Sequence, residues 1–405
     1  MVNVAILGFG VVGSGVAEVL TQNKNIIEKK LQKKVNIKYI LDLRDFPGNP
    51  FEDKVVHDFN IILNDPEVSV VAEMMGGSHP AYDFSKACLE AGKSVVTSNK
   101  EVVANFGAEL LEIAKAHGVA YLFEASVGGG IPIIRPICND LSSNNITEIN
   151  GILNGTTNYI LTKMTTEGAA FADVLKDAQD KGYAERNPAA DVEGLDAARK
   201  IVILAALAFG KAVCPNDIHV EGITEIATED VELANKLGYS VKLIGHAEKV
   251  DGKILAMVSP RLIPHSNPLS GISGVFNGIL LTGDMVGEVM FYGPGAGKLP
   301  TASAVCADIV DIIAHEESGI KLPDFTVASS NDVADFASYS CKRFFVFDKC
   351  PECNITSEAV EKCFGVKASF SDFGCKVAII TAPMTENAAS DVAGKLKNCK
   401  TYRIL

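Results

Sequence analysis

MVNVAILGFGVVGSGVAEVL, Met1 to Leu20, decides how the rest of the chain is read. Val2 to Leu7 form a short apolar run with the length of a buried strand. Gly8-Phe9-Gly10-Val11-Val12-Gly13 then spells G-x-G-x-x-G, and the residues after it read as an amphipathic helix. On its own the glycine pattern is weak. Between a strand and a helix, at the head of a βαβ unit, it acquires a mechanism. Gly8 permits the tight turn, Gly10 lets the backbone approach a pyrophosphate, and Gly13 lets helix and strand pack closely. The helix N-terminus then faces the phosphates. The stretch reads as a dinucleotide turn, with Gly8, Phe9, Gly10, Val11, Val12 and Gly13 as candidate contacts.

Beyond Leu20 the first 150 residues keep alternating. VNIKYIL, VSVVAEMM, KSVVTSN and VAYLFEAS are strand candidates, and HPAYDFSKACLEAG and KEVVANFGAELLEIAKAHG between them are helical in period and end in Gly. Strands alternating with helices predict an α/β fold with a parallel sheet covered on both faces. Ligands sit at the carboxyl ends of such strands. Asp42 and Arg44 end the second strand. An acid there suits the ribose hydroxyls of NAD and an arginine the 2′-phosphate of NADP, so the sequence leaves both open. Met75, Gly76, Ser98 and Lys100 lie at later strand ends.

From about residue 150 the pattern changes. ITEINGILNG reads as a strand, and TTNYILTKMTTEG and FADVLKDAQDKG as helices. SVKLIGHAEKV and ILAMVSPRLI flank Asp251-Gly252, a strong hairpin signal. With GVFNGILLTGD and MVGEVMFYG they predict a mixed or antiparallel sheet in a second domain. TASAVCADIVDIIAHEE is a helix that can return to the first domain. ASSNDVADFASYS reads as a boundary, and the tail after it follows the order β-α-β-β-α-β of a ferredoxin-like unit. The expected domains are 1–135, completed by a helix at about 301–317, then 136–300 and 330–405.

Composition removes several classes. A net charge of −13 disfavours a nucleic-acid surface, which needs clustered Lys and Arg. No apolar run reaches the ~20 residues of a membrane helix. No signal peptide is visible, and the ten cysteines are scattered, so a soluble cytoplasmic protein with reduced thiols is expected.

One stretch concentrates charge. KGYAERNPAADVEGLDAARK, Lys181 to Lys200, holds four acids and four bases immediately before the apolar IVILAALAFG. Pro188 stops an upstream helix. Asp191 is a plausible N-cap for a helix running through Ala208. Asp196 and Lys200 share a helix face, and Lys200 abuts residues that must be buried. A lysine at a core edge, held by carboxylates, suits proton transfer. Glu185, on the preceding loop, suits a substrate ammonium.

At these residues the chain resembles the homoserine dehydrogenases. GYAERNPAADVEGLDAARK is similar to the family's hallmark block. GFGVVG, SNKEVVA, FEASVGGGIPII, NGTTNYIL and GPGAGKLPTASAV are similar to further family segments in the family's order, covering residues 1 to about 320. The resemblance implies a Rossmann-type domain, a catalytic and dimerisation domain with a mixed sheet, and NAD(P)-dependent hydride transfer between L-homoserine and L-aspartate 4-semialdehyde, as in threonine and methionine synthesis. It implies that Lys200 is the proton donor and acceptor at the C4 oxygen. Glu185 and Asp196 would hold substrate, with Asp191 supporting them. Lys100 would assist proton movement, and Gly182 and Gly295 would approach the cofactor. Glu124 with the carbonyls of Val127, Gly129 and Ile131 would bind sodium; a glycine-rich hinge is the other reading of that loop. A homodimer or homotetramer is implied, and no aspartokinase segment precedes the turn, so a monofunctional form is expected.

The tail sits where some relatives carry an ACT domain, but KCPECNITSEAV replaces the expected Asp-x-Pro-Gly turn. A threonine-type effector and a dimerising tail with no effector both stay open. Cys350-Pro-Glu-Cys353 is a lone C-x-x-C without a second pair or a nearby His, a weak zinc or redox signal. The seven histidines are dispersed and none is assigned to catalysis. An aspartate-semialdehyde dehydrogenase would need a cysteine nucleophile, and Cys138, Cys214 and Cys306 lack a partner histidine in an evident motif. A non-catalytic nucleotide or amino-acid sensor is the alternative from another class.

Overall fold

The structure, a computed structural model, describes residues 1–349 and 357–405. Cys350 and Cys353 lie outside the described residues. Two compact units form. The first comprises 1–147, 202–217 and 281–328, and the second 148–201, 218–280 and 329–405.

The first unit is built on a six-stranded parallel sheet of β1 (Val2–Leu7), β2 (Val35–Leu41), β3 (Val55–Val56), β4 (Val68–Glu73), β5 (Ser94–Thr97) and β6 (Tyr121–Leu122), in the order β3-β2-β1-β4-β5-β6. The order reverses between β1 and β4, which is where a ligand crevice opens in such sheets. β1 is buried at every position, as a parallel strand covered on both faces must be. Helices Val11–Gln22, Ala81–Glu90 and Lys100–His117 follow β1, β4 and β5 in turn. The last of these is capped at both ends: the Asn99 side chain accepts from the Glu101 and Val102 amides, and Gly118 is left-handed at φ +66°.

Helix Lys298–Ala314 returns to this unit, as its sequence suggests. Ala302, Val305 and Ile309 join Val4, Ile6 and Val16 in one core. Gly15 permits that contact, because a methyl group there would lie 2.8 Å from the Lys298 carbonyl oxygen. The expected strand over VAYLFEAS is cut short after Leu122. The Glu124 amide turns to the Asp308 carboxylate, and a 3-10 turn occupies Glu124–Ser126.

In the second unit, strands Ile146–Ile152, Tyr239–Val250, Lys253–Pro264, Lys400–Ile404, Arg343–Asp348, Lys376–Thr381 and Ala368–Asp372 lie side by side in that order. All neighbours are antiparallel except Lys253–Pro264 with Lys400–Ile404. Asp251 (φ +50°) and Gly252 (φ +80°) make the two-residue turn of the central hairpin, which pairs Val250 with Lys253. The tail follows the anticipated β-α-β-β-α-β order, with helices Ser357–Phe364 and Glu386–Ala393 on one face. Phe345, Val377 and Ile379 pack with Val360, Phe364 and Val392 as its core.

The long helix expected from Asp191 through Ala208 is instead two helices, Ala189–Val192 and Leu195–Phe209. Gly194 interrupts them at φ +85°, where an added methyl group would meet Val220 and Val258 at 3.1 and 3.2 Å. Asp191 therefore sits inside the short helix and not at the start of the longer one.

Candidate active site

The first group of site residues stands at the carboxyl ends of β1, β2, β4 and β5. A methyl group on Gly13 would lie 1.9 Å from the Gly8 carbonyl oxygen, so only glycine lets the helix start this close to the strand. Gly8 has φ +90° and abuts Met74. A methyl on Gly10 would meet nothing within 4 Å, leaving the backbone open to approach. The N-terminus of helix Val11–Gln22 carries no side-chain cap, so its amides are available to phosphate oxygens. These features fit a dinucleotide.

At the end of β2 the Asp42 carboxylate accepts from the Phe9 amide at 2.8 Å and from Arg44 Nε and Nη2 at 2.9 and 3.0 Å. The Arg44 guanidinium holds the Asp42 carboxyl well below the usual carboxylate range, against the opposing effect of burial. Arg44 is largely exposed and lies 5.2 Å over the Phe46 ring. The acid is thus engaged within the protein, and the arginine is the group facing solvent.

The ends of β4 and β5 are tied together by Glu73, which is wholly buried. Its carboxylate accepts from the Met75 amide at 2.6 Å and from the Thr97 hydroxyl at 2.7 Å. Thr97 in turn accepts from the Asn99 amide, and the Asn99 amide group donates to the carbonyls of Met75 and Gly77. Met75 and Gly76, Ser98 and half-buried Lys100 are all carried on this framework. Burial pushes the Glu73 carboxyl up to about 7, although Thr97 and Met75 act to lower it.

The second group gathers at the start of helix Leu195–Phe209. Lys200 Nζ donates to Asp196 Oδ2 at 2.7 Å and to the Leu153 carbonyl at 2.8 Å. Both side chains are buried, Lys200 at 10% and Asp196 at 7% exposure, so this pair is no solvated i,i+4 surface bridge. Asn154 Nδ2 donates to the same Asp196 oxygen at 2.9 Å and to Asp191 Oδ1 at 2.7 Å. Its Oδ1 accepts from the Thr157 amide and caps helix Gly155–Glu167. Asp191, Asp196 and Lys200 are therefore joined through one asparagine. A buried ammonium held by a carboxylate and a carbonyl is placed to exchange a proton with an oxygen brought to it.

Glu185 lies outside that network. It is exposed, and its carbonyl accepts from Gln179 Nε2 at 3.1 Å. Gly182 is also exposed, in a left-handed turn at φ +74°. Gly295 is buried against the glycine-rich loop: a methyl on Gly129 would fall 2.4 Å from Gly295 C and O.

The family pattern described as homoserine dehydrogenase matches residues 132–310, and that of the homoserine dehydrogenase NAD-binding domain matches 8–124. The homoserine dehydrogenase of Synechocystis is 45% identical over 319 residues, 77% of this chain and 73% of the relative. The chain belongs to the homoserine dehydrogenases. The family's members are NAD(P)-dependent oxidoreductases. The crystal structure of a homoserine dehydrogenase from Thiobacillus denitrificans superposes with a TM-score of 0.89 at 32% identity, covering 100% of this chain and 98% of that one. A hyperthermophilic archaeal homoserine dehydrogenase in complex with NADPH gives a TM-score of 0.66 at 29% identity, over 77% and 97%.

The glycine-rich loop expected to carry a cation is organised around Glu124. The buried Glu124 carboxylate accepts from the Ile133, Ile134 and Arg135 amides at 2.6, 2.9 and 2.8 Å and faces the Arg135 guanidinium at 3.5 Å. Two of the amides hold Oε1 and one holds Oε2, so the carboxylate is fixed by the loop that follows it, and Oε2 keeps a lone pair. The Gly128 carbonyl accepts from the Ile131 amide. Among the described residues no His, Cys, Asp and Glu cluster could hold a metal ion. The thiols of Cys138 and Cys306 are pushed by burial to about 11 and about 12, far from the reactive range. Among the described residues no helix is long and apolar enough to cross a membrane.

Two contributors escaped the sequence. Asn154 reads there as a residue that positions backbone, whereas its amide bridges two aspartates. Glu73 lies in the strand segment VSVVAEMM, where a single acid among apolar residues is the available signal.

Proposed function

We propose that this homoserine dehydrogenase interconverts L-homoserine and L-aspartate 4-semialdehyde with Lys200 as the proton donor and acceptor at the C4 oxygen. The bound nicotinamide supplies or takes the hydride. In the reducing direction Lys200 gives a proton to the developing alkoxide, and in the oxidising direction it receives one. Asp196 holds the ammonium in position, and Asn154 fixes Asp196. Exposed Glu185 and Asp196 take the substrate's polar groups, Glu185 serving its ammonium, with Asp191 supporting them. Lys100 assists proton movement. The cofactor contacts are Gly8 to Gly13, Met75, Gly76, Ser98, Lys100, Gly182 and Gly295, with Arg44 toward the ribose.

The observation that carries the reading is the buried Lys200–Asp196 pair on Asn154. For the cofactor, an acid already engaged by Arg44 and the Phe9 amide favours NADP over NAD, since Asp42 has lost most of its power to repel a 2′-phosphate. A monovalent cation would rest on Glu124 and the carbonyls of Val127, Gly129 and Ile131, and no step depends on it. Domains of 1–135 with the returning helix, 136–300 and 330–405, in a homodimer or homotetramer, complete the proposal; on the tail, a threonine-type effector is one arrangement and simple dimerisation the other. Reduced-nicotinamide absorbance with L-homoserine and NADP, then NAD, tests it: homoserine-dependent reduction, faster with NADP, is expected. Folded protein that binds either cofactor and reduces neither overturns it.

A further inference from the structure

Glu73 is an acid that none of the proposed chemistry uses. It ends β4 and is wholly buried, and among the described residues no cation stands at ion-pair distance from it. A carboxylate buried without a counter-ion is costly and persists where hydrogen bonds hold it. Here those bonds close a ring. Glu73 Oε1 accepts from the Met75 amide, Oε2 accepts from the Thr97 hydroxyl, and Thr97 Oγ1 accepts from the Asn99 amide at 2.9 Å. Asn99 Nδ2 then donates back to the Met75 carbonyl at 3.3 Å and to the Gly77 carbonyl at 2.8 Å.

The ring reaches past the sheet. The pairing of β4 with β5 ends where Glu73 stands opposite Thr97. Beyond that point residues 75–77 and 98–100 leave their strands, and the ring ties the two segments together. Asn99 Oδ1 also accepts from the Glu101 and Val102 amides, both at 3.2 Å, so the same side chain caps the helix whose first residue is Lys100. One buried acid thus fixes the course of the 75–77 backbone and the point at which the Lys100 helix begins. Thr97 must donate to one partner and accept from another, which a valine of the same shape cannot do. Glu73 and Thr97 are both 0% exposed, so neither has surface to offer a ligand.

We propose that Glu73 and Thr97 are positioning residues for hydride transfer: touching neither cofactor nor substrate, they set the Met75-Gly76 backbone and Lys100 against the nicotinamide half of the cofactor. The inference rests on the reading of this crevice as the dinucleotide site and of Lys100 as an aid to proton movement. With the pyrophosphate at Gly10 and the adenosine ribose at the end of β2, the nicotinamide half extends across the switch point toward β4 and β5. The ring lies directly beneath the segments it would meet there.

Steady-state kinetics of the full chain at pH 8, above the value of about 7 to which burial pushes the Glu73 carboxyl, test the proposal. Thr97→Val and Glu73→Leu are expected to lower kcat and raise the KM for NADP, so that kcat/KM for NADP falls roughly 10- to 100-fold, while the KM for L-homoserine stays within about twofold. Glu73→Gln still accepts from the Met75 amide and can donate to Thr97, and it is expected to restore most of the lost kcat/KM. If Glu73→Leu does not fold, Thr97→Val still decides. Folded Thr97→Val with the kcat and NADP KM of the wild type overturns the proposal whatever its melting temperature, because a purely structural ring would shift stability alone. A homoserine KM that rises as much as the NADP KM also overturns it. Wild-type protein without homoserine-dependent reduction is a different failure: it removes the reading of the site, and this inference with it.

Discussion

Lys200 and Asp196 meet at 2.7 Å, one helical turn apart and both buried, and the Asp196 oxygen that binds the lysine also accepts from Asn154. The ammonium is thereby linked, through Asp196, to the residue that caps a different helix. That coupling sets expectations for substitution.

Lys200→Ala removes the proton donor and leaves the glycine turn untouched. Turnover is expected to fall by roughly 10²- to 10⁴-fold, the usual range for losing a general acid or base. Cofactor affinity, read by quenching or enhancement of reduced-nicotinamide fluorescence, should change little. A variant that keeps wild-type kcat removes Lys200 from the mechanism.

Asn154 separates structural from chemical effects. Asn154→Ala loses the cap on helix Gly155–Glu167, about 1 kcal/mol of stability, and frees both aspartates. Asn154→Asp keeps a capping oxygen but sets a third carboxylate against Asp191 and Asp196. The alanine variant should melt lower, whereas the aspartate variant should keep more of its melting temperature yet lose at least as much kcat/KM. Equal losses of stability and equal retention of activity in both would mean that the bridge has no role beyond capping.

Glu73 makes stability depend on pH with a defined sign. Its carboxyl is raised from 4.5 to about 7, so the folded protein holds a proton there that the unfolded chain releases first. The contribution of the protonated group is complete below about 4.5 and disappears as pH rises through about 7. Glu73→Gln, which is neutral throughout, should therefore gain on the wild type between pH 5 and pH 8 by roughly 1–3 kcal/mol. Urea unfolding of both proteins at those two pH values measures it. A stability difference that does not change with pH would show that Glu73 is ionised in the folded state at pH 5.

Arg44→Ala should lower kcat/KM with NADP by about tenfold or more and leave NAD within a few-fold, because a charged contact to a phosphate is lost only with the former. Comparable losses with both cofactors would place Arg44 in the general support of the turn through Asp42 and not in cofactor choice.

Much of this was legible in the residue order. Val2 to Gly13 announce a strand, a turn and a helix because only glycine tolerates the 1.9 Å approach at Gly13, and Asp251-Gly252 marks its hairpin through backbone angles that few other pairs adopt. Lys200 is legible because it shares a helix face with Asp196 and stands directly before an apolar run. Other features depend on partners far along the chain. The helix break falls at Gly194, whose left-handed backbone is packed under Val220 and Val258 so that no side chain fits there. The engagement of Glu124 by amides 9 to 11 residues later is decided by how the loop turns back. Arg261, Arg343 and Arg403 become neighbours through strand registers that no local pattern reveals.

Strand Lys400–Ile404 is laid between Lys253–Pro264 and Arg343–Asp348, parallel to the first and antiparallel to the second. Two stretches of chain that are each contiguous by themselves, the central hairpin and the strands of the tail, thus meet through five residues. Deleting residues 400–405 would turn both neighbours from interior strands into unpaired edges, and it should cost soluble yield out of proportion to the number of residues removed.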